Sequence, residues 1–485
     1  MSLNSHKDSF IHDLTLIVGA AHVRTGESAQ AFHTDERNRY HQAPLAVVLP
    51  QSTEEVVQLV QLCAAQQPPI VMIPQGGNTG VVGGCAVLPE RDSILLNLSR
   101  LNHIIAIDPA NRTLIAQAGV TLEAVQQAAS AHGLIFPLTL ASQNAATIGG
   151  NLATNAGGTQ VLCYGTMRDL CLGLEVVLPS GEIWQNLNTL RKNNTGYDLK
   201  HLFIGAEGTL GLITAAVLKL FPAPKETQVA LIAAADLTGI VRSFDVLQRQ
   251  FDSQLTAFEY ITPAALKLVC TQFGWDLPFP DEHSHVALIE ISSATPHAQL
   301  ETALQTQLSL LIEDATLTNA LLAQNLSQAA HFWQLRENIS AAQKRVGPNI
   351  KHDISVPISS INDFVNSTYA ALELAYPSIE PIVFGHIGDG NLHFNVSRGH
   401  AFSNAETLMA HESNINEIVY TQVARFKGSL SAEHGIGLLK RDLMPSIKSP
   451  VELMLMQQIK HTLDPQNIMN PNKVIPSAFP PIEEV

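Results

Sequence analysis

The chain has 485 residues, which at roughly 150 residues per domain allows about three domains. A hydrophobic fraction of 46% excludes a disordered protein. With 28 Lys and Arg against 43 Asp and Glu, the formal charge is −15, and an acidic surface of that size argues against a nucleic-acid partner, whose affinity rests on neutralising phosphates.

The N-terminal stretch carries Asp8, His12 and Asp13 and lacks the continuous apolar segment of a secretory signal. No run approaches the ~20 apolar residues of a membrane span, so a cytoplasmic location without a membrane span is expected. LAVVLP at 45–50 reads as a strand, and Ser52-Thr-Glu-Glu55 as a capping box opening the helix VVQLVQLCAAQ. IVMIP follows as a strand and runs into the glycine-rich loop 75–84. SILLNL, HIIAID and TLIAQAG read as strands and TLEAVQQAASAHG as a helix. Two further glycine-rich loops cover 141–158 and 205–211. FPAPKE at 221–226, with two prolines, is the best domain boundary. Beyond it TAFEYI, HVALIEIS, HDISVP, PIVFGHI and NLHFNV alternate with longer helical stretches, the pattern of helices on a mainly antiparallel sheet. From about Ser431 glycine and then proline reappear, and this stretch is expected to return to the first domain. The expected domains are therefore 1–224, 225–430 and 431–485. Cys63, Cys85, Cys163, Cys171 and Cys270 are odd in number and show no CxxC spacing, which suits free thiols in a reducing compartment.

Glycine lets backbone N–H groups approach a phosphate without an intervening side chain. A nicotinamide site of Rossmann type needs its glycine loop to open a helix, but the 75–84 loop leads through Pro89 into another strand. One such loop would be as readily a plain turn. Three in one half of the chain favour a large pyrophosphate cofactor.

Two other stretches carry chemistry. Ala329 to Arg345 reads as a helix with Arg336 and Ser340 four apart on one face, and Lys351 precedes HDISVP. Long basic side chains on a helix ordinarily snorkel into water. At 382–395, Asp389-Gly390 between apolar strands signals a two-residue hairpin. That register sets His386 directly across from His393, and Phe384 across from Asn395 on the same face. Opposed Cβ atoms lie about 4.5–5.5 Å apart, so both imidazoles could reach one divalent cation such as zinc. A surface histidine pair is the alternative that the geometry leaves open. In Ser431-Ala-Glu433-His434-Gly435 the acid and the histidine can serve one site only where the backbone bends.

PQGGNTGVVGG at 74–84, ATIGGNLATNAGG at 146–158 and GAEGTLGLIT at 205–214 resemble the FAD loops of vanillyl-alcohol oxidase/p-cresol methylhydroxylase-type flavoproteins, within which the chain resembles the D-2-hydroxyglutarate and D-lactate dehydrogenase branch. The resemblance runs from about residue 40 to the terminal NPNKV. It implies an α+β fold: a two-subdomain FAD-binding domain plus a substrate (cap) domain with helices on a mainly antiparallel sheet. Gly76, Gly77, Asn78 and Thr79 would lie on the pyrophosphate, and Pro74, Gln75 and Gly80 would bind the cofactor beside them. Ala141, Ser142, Thr147, Gly149, Gly150 and Asn151 would flank the flavin, and Ile213 would lie near the adenine. Loop 74–84 has no histidine, so the FAD is expected to be non-covalent. The resemblance further implies a metal held by His386, His393 and Glu433, with His434 as the catalytic base. Substrate would be bound by Arg336, Ser340, Lys351 and Asn395.

The implied activity is oxidation of a small anionic D-2-hydroxy acid, dicarboxylic as in D-2-hydroxyglutarate or D-malate, with electrons passing to an electron-transfer flavoprotein or a quinone. The alternatives are a D-lactate dehydrogenase of the same family and a non-redox flavoprotein. A homodimer is compatible with the sequence, which does not itself define the oligomeric state.

Overall fold

The computed structural model describes residues 3–476, with side chains from residue 6. The ends of the first and last expected segments, 1–2 and 477–485, lie outside the described residues. The chain divides into two units. One comprises residues up to Ala156, Thr166–Pro222 and the stretch from Glu433 onward; the other comprises Gly157–Gly165 and Ala223–Ala432.

In the first unit, Val23–Arg24 (β1), Ala46–Val48 (β2), Val71–Gln75 (β3) and Ser93–Asn97 (β4) form a sheet ordered β1-β2-β4-β3, with β2, β4 and β3 parallel. Parallel neighbours need a crossover, and helix Thr53–Ala64 supplies the one from β2 to β3. It starts where the Ser52 hydroxyl accepts the Glu55 N–H at 3.2 Å. The return arm of the expected capping box reaches one residue further back, to the Gln51 N–H at 2.7 Å. Val56, Leu59, Val60 and Cys63, spaced i, i+3, i+4 and i+7, bury against Ala46, Val48, Met72 and Ile94 and against Phe10 and Leu14 of helix Leu3–Val18. Each such apolar side chain contributes about 1.5–3 kcal/mol. On the outer edge of β3, the Met72 N–H donates to the Ile468 carbonyl and its carbonyl accepts from the Asn470 N–H. The C-terminal stretch is thereby bonded to the strand that feeds the first glycine loop.

The second sheet of this unit uses Ile104–Asp108 (β5), Thr113–Gln117 (β6), Cys171–Val177 (β7), Ile183–Asn186 (β8) and Leu212–Lys219 (β9), ordered β5-β6-β9-β7-β8 and antiparallel throughout. Helix Leu122–Ser130 is capped by the Thr121 hydroxyl.

The other unit is a seven-stranded, wholly antiparallel sheet of Glu226–Ala234 (β10), Leu255–Ile261 (β11), His285–Ser293 (β12), Asn319–Leu322 (β13), Asp353–Ser355 (β14), Glu380–His386 (β15) and Asn391–Ser397 (β16). The order is β13-β10-β12-β11-β15-β16-β14. Alternate residues serve the two faces. Val229, Leu231, Ile261, Val286, Leu288 and Phe384 pack under helices Pro263–Phe273, Leu326–Glu337 and Ile339–Val346. On the opposite face Phe258 meets Phe244 of helix Leu237–Phe251 edge-on. Cover on both sides explains why these strands read as near-continuous apolar runs. A polar residue on them is therefore conspicuous. Among the described residues no helix is long and apolar enough to cross a membrane, and the five cysteines are free thiols.

Candidate active site

In the first unit, β3 ends at Gln75, whose side-chain amide donates to the Phe32 carbonyl at 2.7 Å and accepts from Asn97 at 3.0 Å. Asn78 turns at φ +55° and donates to the Thr34 carbonyl. Just before it, Gly77 presses onto the second glycine loop: a Cβ there would stand 1.8 Å from the Ala145 carbonyl oxygen, so no other residue fits. Thr147 caps helix Ile148–Ala153, its hydroxyl accepting the Gly150 N–H at 3.4 Å. Ser142 is half-buried with its carbonyl tied to the Ala145 and Ala146 N–H groups, and Ala141 is exposed. Ile213 is buried in β9 opposite Val176. Asn151 is 5% exposed, and its Nδ2 is buried without a hydrogen-bond partner among the described residues. An orphaned donor costs roughly 1–3 kcal/mol, and it fits a bound cofactor rich in acceptor oxygens.

The third loop contributes a residue that sequence reasoning missed. Glu207, buried and at φ +51°, accepts the N–H groups of Ile436 at 2.7 Å and Gly437 at 2.9 Å. Burial pushes its carboxyl up, against the pull of these N–H groups and of Lys473 and Lys440. Gly435 lies at φ +81°, where a Cβ would come within 2.7 Å of that carboxylate. The backbone after Glu433 and His434 thus does bend, and Glu207 holds the bend. Its signal in the sequence was an acid between two glycines of an otherwise apolar loop.

In the other unit the hairpin register differs from expectation. Phe384, not His386, stands across from His393, and Asn395 pairs with Ile382. The turn is longer than two residues because Ile387–Asp389 form a 3₁₀ turn closed by Gly390 at φ +84°. The shift is by two positions, which preserves the face, so the imidazoles still meet, with ring centroids 5.7 Å apart. Directly across from His386 stands Glu259 of β11, and directly across from His393 stands Asp353 of β14. His386 Nδ1 lies 2.5 Å from Glu259 Oε1. Asp353 is buried and accepts from Asn391 at 3.0 Å and from Ser431 at 3.4 Å.

Arg336 does not snorkel. It is 7% exposed, its Nε lies 2.7 Å from Glu259 Oε2, and its guanidinium stacks over Phe384 at 4.8 Å. Burial alone would raise the Glu259 carboxyl; His386 and Arg336 outweigh it and hold the group below the usual carboxylate range. The expected single helix from Ala329 to Arg345 is interrupted at Asn338, and Ser340 is exposed beyond the break whereas Arg336 points inward. Lys351 is half-buried at the start of the segment leading to β14. Asn395 is buried and donates to Gln343 Oε1 at 2.9 Å, and Gln343 Nε2 is buried without a hydrogen-bond partner among the described residues. Glu259 and Gln343 were not singled out from the sequence. Glu259 was visible as the acid inside TAFEYI, a strand with no polar face to put it on.

Residues 44–185 match the FAD binding domain family, and residues 223–474 match the family of FAD linked oxidases, C-terminal domain. A D-2-hydroxyglutarate dehydrogenase from Xanthomonas citri pv. viticola is 39% identical over 469 residues, spanning 96% of this chain and 97% of its own. The chain belongs to the FAD-linked D-2-hydroxyglutarate and D-lactate dehydrogenase family. It is an FAD-dependent dehydrogenase. The mitochondrial D-2-hydroxyglutarate dehydrogenase of Bos taurus is 38% identical, covering 88% of this chain and 76% of its own. A putative mitochondrial D-lactate dehydrogenase from Schizosaccharomyces pombe is 34% identical, covering 96% and 88%. Among solved structures, p-cresol methylhydroxylase superposes with a TM-score of 0.78 at 15% identity over 98% of both chains. At that identity the likeness speaks for the fold, which is that of the vanillyl-alcohol oxidase/p-cresol methylhydroxylase type.

Proposed function

We propose that the protein oxidises a D-2-hydroxy dicarboxylic acid, D-2-hydroxyglutarate or D-malate, to the 2-oxo acid. The observation that carries this reading is the buried guanidinium of Arg336 on the sheet face that presents His386. A guanidinium has five donors in a rigid fork; Glu259 occupies the Nε side, and the Nη side suits a substrate carboxylate. The likeness to relatives named D-2-hydroxyglutarate dehydrogenase supports it.

FAD is held non-covalently by Pro74 to Gly80, by Ala141, Ser142, Thr147 and Gly149 to Asn151, and by Ile213; when bound it accepts the C2 hydride. His386, His393 and Glu433 are the ligands of a divalent metal, zinc being the cation that two imidazoles and a carboxylate suit. Two features support this set. His386 has its Nδ1 on a carboxylate, the usual outer partner of a metal-bound imidazole. Glu433 lies two residues beyond Ser431, whose hydroxyl is bonded to Asp353 beside the histidine pair. Such a metal, when bound, acts as a Lewis acid on the substrate hydroxyl. His434 takes the hydroxyl proton on an imidazole nitrogen, and the bend held by Glu207 fixes its approach. Arg336, Ser340, Lys351 and Asn395 orient the acid, and an electron-transfer flavoprotein or a quinone receives the electrons.

A second reading, a D-lactate dehydrogenase, is favoured by one observation: Glu259 already neutralises Arg336, so the pocket carries less net positive charge than an unpaired arginine would give it. Anaerobic mixing with D-2-hydroxyglutarate, D-malate and D-lactate separates the two. The preferred acid bleaches the flavin at the lowest concentration, and no bleaching by any of them would overturn both.

A further inference from the structure

Glu259 is wholly buried, yet its two oxygens face two different cationic or ionisable partners: His386 Nδ1 at 2.5 Å on one side and Arg336 Nε at 2.7 Å on the other. The arrangement is built into the sheet, because Glu259 and His386 are register partners on adjacent strands, β11 and β15. Arg336 comes down on the same carboxylate from the last turn of helix Leu326–Glu337 and is braced by the Phe384 ring beneath it. A carboxylate desolvated to this degree is retained only with such partners.

We propose that Glu259 is a positioning residue that ties the metal-ligating imidazole to the substrate-holding guanidinium. The inference rests on the reading of His386 as a metal ligand. A carboxylate on Nδ1 makes that nitrogen the protonated one and turns the Nε2 lone pair outward as the ligand atom. The other oxygen forms an ion pair with Arg336 at Nε, which holds the guanidinium beside the imidazole and leaves its two Nη groups for the substrate carboxylate. Sequence spacing could not reveal this link, since Glu259 lies 77 residues before Arg336 and 127 before His386.

The test is Glu259→Gln, which keeps the shape and an acceptor but removes the charge. Zinc affinity, measured by competition with a chromophoric chelator, should fall by about 10–100-fold while the FAD content is unchanged. At saturating zinc kcat should recover, whereas KM for the dicarboxylic acid should stay raised. A folded variant with zinc affinity within about twofold of the unsubstituted protein overturns the inference. Should Glu259→Gln not fold, nitrogen NMR of histidine-labelled unsubstituted protein decides: the His386 resonances, assigned by their loss in His386→Ala, must report the Nδ1–H tautomer, and the Nε2–H tautomer overturns the proposal. Zinc retained by both His386→Ala and His393→Ala would instead refute the metal reading beneath it.

Discussion

His386 stands across the ladder from Glu259, not from His393, and its Nδ1 touches that carboxylate at 2.5 Å. The two histidines meet diagonally over the hairpin instead. Each has a carboxylate on the strand that flanks the hairpin on its side, Glu259 on β11 for His386 and Asp353 on β14 for His393. His386 is buried and His393 half-buried, and Asn391 and Asn395 flank His393 at alternate positions of the same strand, so this end of the sheet face is polar where the rest of it is apolar.

Removing either imidazole should be separable from flavin binding. His386→Ala and His393→Ala are expected to lose zinc and to retain FAD, because the glycine loops belong to the other unit. Elemental analysis beside the flavin absorbance checks this. A full metal complement in both variants would show that the pair is structural.

His434→Ala should behave differently. It is expected to keep its metal and its FAD and to lose turnover by roughly 10²–10⁴-fold, the usual weight of a positioned base. Loss of metal together with turnover would make His434 a ligand rather than the base.

The flavin itself gives the simplest check. Acid precipitation should leave FAD in the supernatant, since loop 74–84 offers Asn78 and Thr79 but no histidine for attachment. Yellow colour in the washed pellet would contradict non-covalent binding.

How far the sequence reached depended on distance along the chain. Strands β2, β3, β4, β11, β12, β15 and β16 were legible as apolar runs, and the Ser52 cap as a local pattern, because each is decided within a few residues. The hairpin register failed because Asp-Gly predicts a two-residue turn and the chain makes a longer one, a choice fixed by tertiary context at Gly390. The helix break at Asn338 was hidden for the same kind of reason: Asn is tolerated in a helix and nothing local forces the interruption. Glu207 and Glu259 were out of reach altogether, since their partners at Ile436, Gly437, His386 and Arg336 come from remote segments.

Lys473 gives a pH signature. It is 2% exposed, and burial pulls its ammonium down to about 8, with Cys85 and Glu207 opposing and Arg441 adding to the effect. The unfolded chain, with lysine at its ordinary 10.5, binds the proton more tightly, so below pH 8 the buried charge destabilises by up to roughly 3 kcal/mol. Between about pH 8 and 10.5 the folded protein sheds the proton first, and this penalty falls. Lys473→Met should therefore raise Tm most at pH 7 and progressively less above pH 8. A gain in Tm that is constant from pH 7 to 10 would mean that the ammonium is better solvated than its burial suggests.

Substrate choice turns on Arg336. A metal held by His386, His393 and Glu433 would act on the hydroxyl end that every 2-hydroxy acid shares, so chain length must be read at the other end of the substrate. A distal carboxylate there would gain charge-assisted bonds from the guanidinium, whereas lactate, ending in a methyl group, would leave those donors unpaired. Sites of that kind discriminate by up to roughly 10⁴-fold when fully dry; with Glu259 already sharing the guanidinium, a smaller factor is expected. Arg336→Ala also strands Glu259 as a buried anion beside His386, which typically costs about 3–5 kcal/mol. Arg336→Lys keeps a charge near Glu259 and loses only the fork, and is the cleaner variant. It should lower kcat/KM for D-2-hydroxyglutarate far more than for D-lactate, with Tm nearly unchanged. Equal losses on both acids would place Arg336 at the reacting end of the substrate and favour the monocarboxylic reading.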